Sequence, residues 1–263
     1  MSWRNFEEEC ATYLNDNYGK KFQLRGNSDS TVSDIYFKNG KIEFYIEAKM
    51  PNAQCGQFVL FPDLINRQFV YSPKNRTQEN EYSMMIIEYM NRNFDLFCDS
   101  GTAGIAINMP QIVFYNWIIN YYNDKDARFF ITKDYSKYII FPIENFSKYF
   151  NVSAKYRKKK SGSSSLNNAN KADFEIALKR SGIEYNLVGL EVYSSEDLDG
   201  IKVCGDRFDY MFRENGDSYK VRRLSNTVNA NVIFSIELKD YDIMQQKTDY
   251  LKFKRAINIY NRK

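Results

Sequence analysis

An α/β architecture follows from three features of this chain. A helical apolar stripe opens it, a β-hairpin with an Asn-Gly turn comes next, and helix-length and strand-length apolar runs then alternate up to about residue 150. Residues Ser2 to Tyr18 place Trp3, Phe6, Cys10, Tyr13, Leu14 and Tyr18 on one side of a helix. Lys21–Arg25 reads as a strand, and a Ser/Asn/Gly-rich turn region covers Gly26 to Ser33. Asn39-Gly40, between strand-like runs, marks a two-residue hairpin turn. Residues near Pro73–Asn80 form a loop. Glu81–Phe97 and Pro110–Asn123 are predicted helices, the second with proline at the permitted first position; their aromatic faces read most simply as core, with a dimer interface as the alternative. Arg128–Thr132 and Tyr138–Phe141 are predicted strands, and Ala172–Ser181 a helix. Strands at Leu187–Tyr193, Arg207–Phe212, Ser218–Arg223 and Val232–Leu238 make the C-terminal half β-rich, with Asn215-Gly216 turning the second of these into the third.

The hairpin concentrates chemistry. With the turn at Asn39-Gly40, Lys38 pairs with Lys41 and Asp34 falls opposite Tyr45. Faces alternate along a strand, so Tyr45, Glu47 and Lys49 share the side of Asp34, while Phe44, Ile46 and Ala48 point into a core. Asp34 is then the diagonal neighbour of Glu47, with backbones roughly 7–8 Å apart. Two close carboxylates repel each other unless a cation or a proton neutralises them. A hard cation such as Mg²⁺ suits oxygen ligands, lowers the pKa of a bound water and offsets charge on a phosphate oxygen. Lys49 would lie beside that water. The competing reading is a solvated hairpin face with an exposed Glu/Lys pair, which contributes little.

Asp34, then twelve residues, then Glu47-Ala48-Lys49, resembles the PD-(D/E)xK nuclease motif, with Ser33 where the family usually has proline. The continuation Met50 to Phe61 is similar to that of type II restriction endonucleases, and the resemblance covers roughly the first 70 residues. It implies an αβα core, a mixed central sheet flanked by helices, ahead of the β-rich C-terminal half. It also implies that Asp34 and Glu47 ligate Mg²⁺ (Mn²⁺ substituting) with the Ala48 carbonyl, and that Lys49 assists the attacking water. The expected reaction is hydrolysis of double-stranded DNA at a short specific sequence, leaving 5′-phosphates. The expected assembly is a homodimer in a bacterial or archaeal cytoplasm, with a cognate methyltransferase in the same system that it does not touch. A structure-specific or repair nuclease of the same fold, and a non-catalytic DNA-binding module, are the alternatives. A phage or plasmid accessory protein with a merely structural hairpin is a third.

Further residues are placed around this centre. Nucleases of this fold often carry an acid on their first helix, and Glu9, at the edge of the buried stripe, is the expected one, with Glu8 as fallback. Gln54 and Gln57 are expected to open a helical segment one turn apart, with Gln57 favoured for a site role. Glu237-Leu238-Lys239 is a rival Glu-x-Lys whose partner acids would be Asp206, Asp209 or Asp217, but no short hairpin gathers them.

Composition narrows the classes. At 263 residues the chain fits one large domain or a core with an elaborated second half. Its net charge of +4, from 37 basic and 33 acidic residues, makes charge distribution matter more than the total. Basic residues cluster at Lys155–Lys160 and from Lys252 to Lys263. The absence of histidine excludes His-ligated zinc, His-metal nucleases and Ser–His or Cys–His catalysis. Cys10, Cys55, Cys98 and Cys204 have no C-x-x-C spacing and read as free thiols in a reducing compartment. Neither a signal peptide nor a membrane span is expected. The domain reading is a catalytic core over 1–150, a basic Ser-rich connector or DNA-contacting loop over 151–171, and a β-rich part over 172–263 for recognition or dimerisation, or one continuous domain. Arg157, Lys158, Lys159, Lys160, Ser161 and Ser163 are candidate phosphate contacts. Arg222, Arg223 and Asn226 are candidate base readers.

Overall fold

The computed structural model describes residues 3–25, 32–160, 163–225 and 228–257, with backbone alone for 159–160 and 228–229. The chain divides into two units, Met1–Arg157 with Asn231–Lys263, and Lys158–Ala230. In chain order the first unit opens with α1 (Trp3–Tyr18), β1 (Phe22–Leu24), β2 (Ile35–Asn39), β3 (Ile42–Ala48), β4 (Asn52–Asp63) and β5 (Gln68–Tyr71). It continues with α2 (Glu81–Arg92), α3 (Phe94–Cys98), β6 (Ile105–Ala106), α4 (Gln111–Asn123), β7 (Ala127–Asp134), β8 (Lys137–Pro142) and α5 (Phe146–Tyr149). The unit boundary falls within β9 (Phe150–Lys160). The second unit holds β10 (Ser163–Ser165), α6 (Asn168–Ser181), β11 (Asn186–Val188), β12 (Glu191–Tyr193), β13 (Lys202–Cys204), β14 (Asp209–Asn215) and β15 (Ser218–Leu224). The chain returns to the first unit through β16 (Val228–Leu238) and α7 (Ile243–Ala256).

The first unit contains the expected mixed sheet, in the order β1-β2-β3-β7-β8, with β3 and β7 parallel and the other pairs antiparallel. Strand alternation sends Phe44, Ile46, Phe129 and Ile131 to one face, where Phe6, Cys10 and Leu14 of α1 and Phe253 of α7 cover them. Phe130 points the other way, its ring 5.1 Å from Tyr122 of α4. Helices therefore cover both faces, the αβα layering expected from the sequence. A second sheet, β5-β4-β16-β9-β6, lies against the same α4: Trp117 stacks on Phe234 of β16 at 4.2 Å.

Four local expectations differ from the structure. Asn39 pairs with Ile42, so the turn residues are Gly40 and Lys41 rather than Asn39 and Gly40. Gly40 takes φ +63 at the first central position, the place a type II′ turn gives to glycine. Gln54 and Gln57 lie on strand β4, not on a helix, because Phe58-Val59-Leu60-Phe61 pairs in register with β16 and β5. The expected helix Glu81–Phe97 breaks at Asn93, whose side-chain amide donates to Tyr89 O and whose backbone N–H donates to Met90 O. The stretch expected to be irregular from residue 151 is β9 as far as Lys160. Val152, Ala154 and Tyr156 are buried there, alternating with exposed Asn151, Ser153 and Lys155, which is the period of a strand.

The second unit is a six-stranded sheet in the order β11-β12-β15-β14-β13, with β10 also paired to β15. Asn215 pairs with Ser218, so the predicted hairpin forms, with Gly216 and Asp217 rather than Asn215 and Gly216 at its turn. Phe174, Ala177 and Leu178 of α6 pack against Val192, Tyr210, Phe212 and Val221. Asp173, also on α6, is buried and accepts from four donors: Asp206 N (3.0 Å), Arg207 N (2.9 Å), Phe208 N (3.2 Å) and Tyr210 Oη (2.8 Å). Gly205 makes this approach possible, since a methyl there would lie 2.6 Å from Asp173 Oδ2.

Candidate active site

The observed register changes how the two acids meet. Ile35 pairs with Ile46, so the ladder sets Asp34, just before β2, across from Glu47 rather than diagonal to it. The shift from the expected register is two residues, an even number, so every side chain keeps its face. Asp34 Oδ2 accepts a hydrogen bond from Ala48 N at 3.0 Å, which ties the first acid to the strand carrying the second. Lys49 follows β3 directly, and its backbone N–H donates to Ile131 O of β7 at 3.0 Å, fixing where the side chain departs. Its ammonium forms an ion pair with Glu47 Oε1, lies 3.8 Å from Asp34 Oδ2 and 3.4 Å from Ala48 O. Asp34, Glu47, Ala48 and Lys49 are thus gathered as the sequence led us to expect.

The acid that reaches this centre from α1 is Glu7. It is 7% exposed, one turn before Cys10 and Ala11 on the buried stripe, and its carboxyl lies beside Asp34, Glu47 and Lys49. Glu9 lies instead at the far edge of the stripe, ion-paired with Lys133 and accepting from Tyr138 Oη at 2.6 Å. Those two hydrogen bonds hold its carboxyl below the usual range. The fallback, Glu8, is exposed and its backbone carbonyl accepts from Thr12 Oγ1. The signal for Glu7 was present in the spacing: Glu7, Cys10, Ala11 and Leu14 follow the i, i+3, i+4, i+7 rule with a carboxyl among apolar side chains.

Electrostatics mark the cluster as unsatisfied. Burial, then the charge of Glu47, pushes Asp34 well above the usual carboxylate range, against the pull of Lys49 and the Ala48 N–H. Burial likewise raises Glu7 to about 6, with Lys49 opposing and Glu47 reinforcing. Burial works to lower Lys49, yet the charges of Glu47 and Asp34 prevail and hold it above its ordinary value. Glu47 Oε2 is buried with no hydrogen-bond partner among the described residues. A buried oxygen left without a donor, two crowded acids and an all-oxygen donor set match what a hard divalent cation takes. Among the described residues no three His, Cys, Asp or Glu side chains close a metal cage by themselves. An ion held by Asp34, Glu47 and the Ala48 carbonyl would complete its shell with water or phosphate oxygens, as Mg²⁺ commonly does.

A wall beside the cluster went unforeseen. The Tyr122 ring lies 5.8 Å from Lys49 Nζ, and its hydroxyl meets Cys55 Sγ at 3.9 Å. Burial pushes the Cys55 thiol up to about 12 against the pull of Lys49, so it stays protonated. Between Gln54 and Gln57, β4 carries one extra residue relative to β16, a bulge built on Gly56 at φ +117. The bulge leaves both glutamines exposed and bonded to each other, Nε2 to Oε1, at 3.0 Å. A methyl on Gly56 would lie 2.7 Å from the Trp117 ring, so only glycine lets β4 approach α4 this closely.

The remaining candidates fall elsewhere. Arg157, Lys158, Lys159 and Lys160 are on β9, and Ser161 and Asn226 lie outside the described residues. Arg222 donates to Ser163 Oγ (3.1 Å), Ser163 O (2.8 Å) and Ser165 Oγ (3.2 Å). Arg223, its neighbour on β15, points to the opposite face with its guanidinium 4.5 Å from the Phe208 ring. The two arginines therefore do not read one surface together. Glu237 is exposed at the end of β16, opposite Asn52, and Asp206, Asp209 and Asp217 belong to the other unit.

Neither the models of known protein families nor the curated proteins contain a match to this sequence. Among solved structures, HhaI endonuclease in complex with DNA is similar at 48% sequence identity and a TM-score of 0.91. The match covers 98% of this chain and all of the other.

Proposed function

This chain belongs to the type II restriction endonucleases of the PD-(D/E)xK superfamily, and from that premise we propose that Asp34, Glu47, Lys49 and Glu7 carry its cleavage of double-stranded DNA. The observation that bears the proposal is the Asp34–Glu47 pair, Glu47 buried and Asp34 half-buried, bridged by Lys49, with Glu47 Oε2 left without a partner among the described residues. Asp34, Glu47 and the Ala48 carbonyl would hold a divalent cation, Mg²⁺ with Mn²⁺ as substitute. When bound, it supplies positive charge against the charge developing on the phosphate and eases deprotonation of water. Lys49 orients the attacking water and stabilises the hydroxide through its ammonium, which the surrounding acids keep charged. Glu7 adds a third carboxyl beside Asp34 and Glu47, within the field of Lys49. Tyr122 and Cys55 close one side against solvent, which strengthens these interactions. In-line displacement at phosphorus then leaves a 5′-phosphate and a 3′-hydroxyl.

The basic strand β9 and the Ser163–Arg222 pair are proposed to touch the DNA, and Gln57 to contact a phosphate beside the site. A homodimer cutting both strands of a symmetric site, working in a bacterial or archaeal cytoplasm alongside a protective methyltransferase, completes the reading. Incubation with unmethylated phage DNA and Mg²⁺, followed by sequencing of the ends, tests it. Discrete ends with 5′-phosphates are expected from the native chain, and background cleavage from Asp34→Ala and Glu47→Ala. Full Mg²⁺-dependent activity in either variant overturns the assignment.

A further inference from the structure

Beside the catalytic cluster runs an open groove of about 730 Å³, lined by Gln57, Lys74, Asn75, Thr77, Tyr121 and Lys125 among others. Arg76 and one acid, Asp124, also line it, so cations predominate on its wall. Lys125 follows α4, and its half-buried ammonium lies 4.1 Å from the centre of the Tyr121 ring and 5.2 Å from that of Tyr122. The Tyr122 ring is the same one that stands 5.8 Å from Lys49 Nζ. Two ammoniums on one ring span only a few nucleotides, at roughly 3.4 Å of rise per nucleotide of one strand.

The groove is built rather than incidental. Tyr121 is stacked on Trp117 at 5.0 Å, and Trp117 is seated against Gly56, so the platform under Lys125 is rigid. The opposite wall is pinned to β4: Asn75 accepts from Val59 N at 2.8 Å and donates to Val59 O at 2.9 Å, while Ser72 N donates to Val59 O at 3.1 Å. Tyr71 Oη closes the far end of the loop on Thr77. A lysine needed only to cap a helix requires neither a stacked aromatic platform nor a facing wall that carries Lys74.

We propose that Lys125 binds a backbone phosphate of the DNA strand being cut, a few nucleotides from the scissile one, with Lys74 taking a second phosphate across the groove. This rests on the nuclease reading above. A phosphate on Lys125 would fix the strand against the Tyr122 wall, so that the reacting phosphorus faces Lys49. Lys125 is in that sense a positioning residue.

The test is duplex affinity of the full chain for a short mixed-sequence DNA, measured without divalent metal across a salt series. Each lost phosphate contact flattens the slope of log K against log salt by about one. Lys125→Gln should do this with an unchanged Tm, Lys74→Gln should do the same, and Lys125→Arg should restore the native slope. In cleavage, Lys125→Gln should lower kcat as well as raise KM, because both the contact and the alignment of the strand are lost. A native slope in Lys125→Gln overturns the assignment, and so does an affinity loss matched by a fall in Tm that Lys125→Arg leaves uncorrected. Failure of the nuclease reading would look different: it would be full cleavage by Asp34→Ala, whatever Lys125 does.

Discussion

Asp34 and Asp173 are both aspartates drawn in from water, one in each unit of the chain, and their surroundings are opposite. Asp173 collects three backbone N–H groups and a tyrosine hydroxyl. Burial alone would raise it, yet these donors outweigh burial and hold its carboxyl below the usual range. Asp34 has one backbone N–H, and burial first, then the charges of Glu47 and Glu7, raises its proton affinity against the pull of Lys49. Withdrawal from solvent therefore does not by itself mark a working acid. The mark is demand for positive charge that the fold leaves unmet, and Asp173 has none left while the Asp34 cluster has a buried oxygen to spare.

The contrast can be broken by experiment. Asp173→Ala should be the most damaging change to stability, about 4 kcal/mol, because it removes the shared acceptor of four donors and leaves a hole beside α6. Chemical denaturation of the full chain measures it. Asp173 has a depressed folded pKa, so its contribution is fully present above the ordinary carboxylate value and disappears as pH falls through the lower folded one. Gly205→Ala should cost about 2 kcal/mol, since its methyl would press on the same carboxylate. Glu7→Gln should have the other sign. With metal chelated, Tm should rise by the equivalent of about 1–2 kcal/mol above pH 6, because a carboxyl with a raised folded pKa opposes folding once ionised. That gain should vanish as pH falls below the unfolded value of 4.5, where both states hold the proton. Cleavage should fall in the same variant. A Glu7→Gln protein destabilised as Asp173→Ala is would end the distinction. The smallest effect belongs to Glu9→Gln, within about 1 kcal/mol for a partly exposed ion pair and with near-native cleavage. Strong loss of cleavage there would return the α1 role to Glu9.

The candidate site was legible in the sequence because parity survives error. Reading the turn at Asn39-Gly40 instead of Gly40-Lys41 displaced the register by two, and an even slip moves no side chain to the other face. A slip of one would have buried Glu47 in the α1 side of the sheet. The mixed sheet and its flanking helices followed from periodicities of two and 3.6 that the residues carry locally. The errors arose where two periodic signals overlapped or tertiary contacts decided. Glu7 and Glu9 both border the α1 stripe, and only the position of Asp34 selects between them. Gln54 and Gln57 have a helical spacing, but the bulge at Gly56 places them together on a strand. On β9, four consecutive basic residues hid an alternation that Val152, Ala154 and Tyr156 state plainly. Tyr122 and Cys55 lie in distant segments, and nothing local announces that they meet.

Strands β9 and β16 are hydrogen-bonded neighbours in one sheet, and residues 158–230 lie between them in the chain. The polypeptide thus leaves and re-enters the first unit along adjacent strands, as it would around a single hairpin. An excursion of this kind is topologically a long loop, and loop-closure entropy grows only slowly with length. Such a segment can be lengthened, shortened or exchanged over generations without rethreading the sheet that carries Asp34, Glu47 and Lys49.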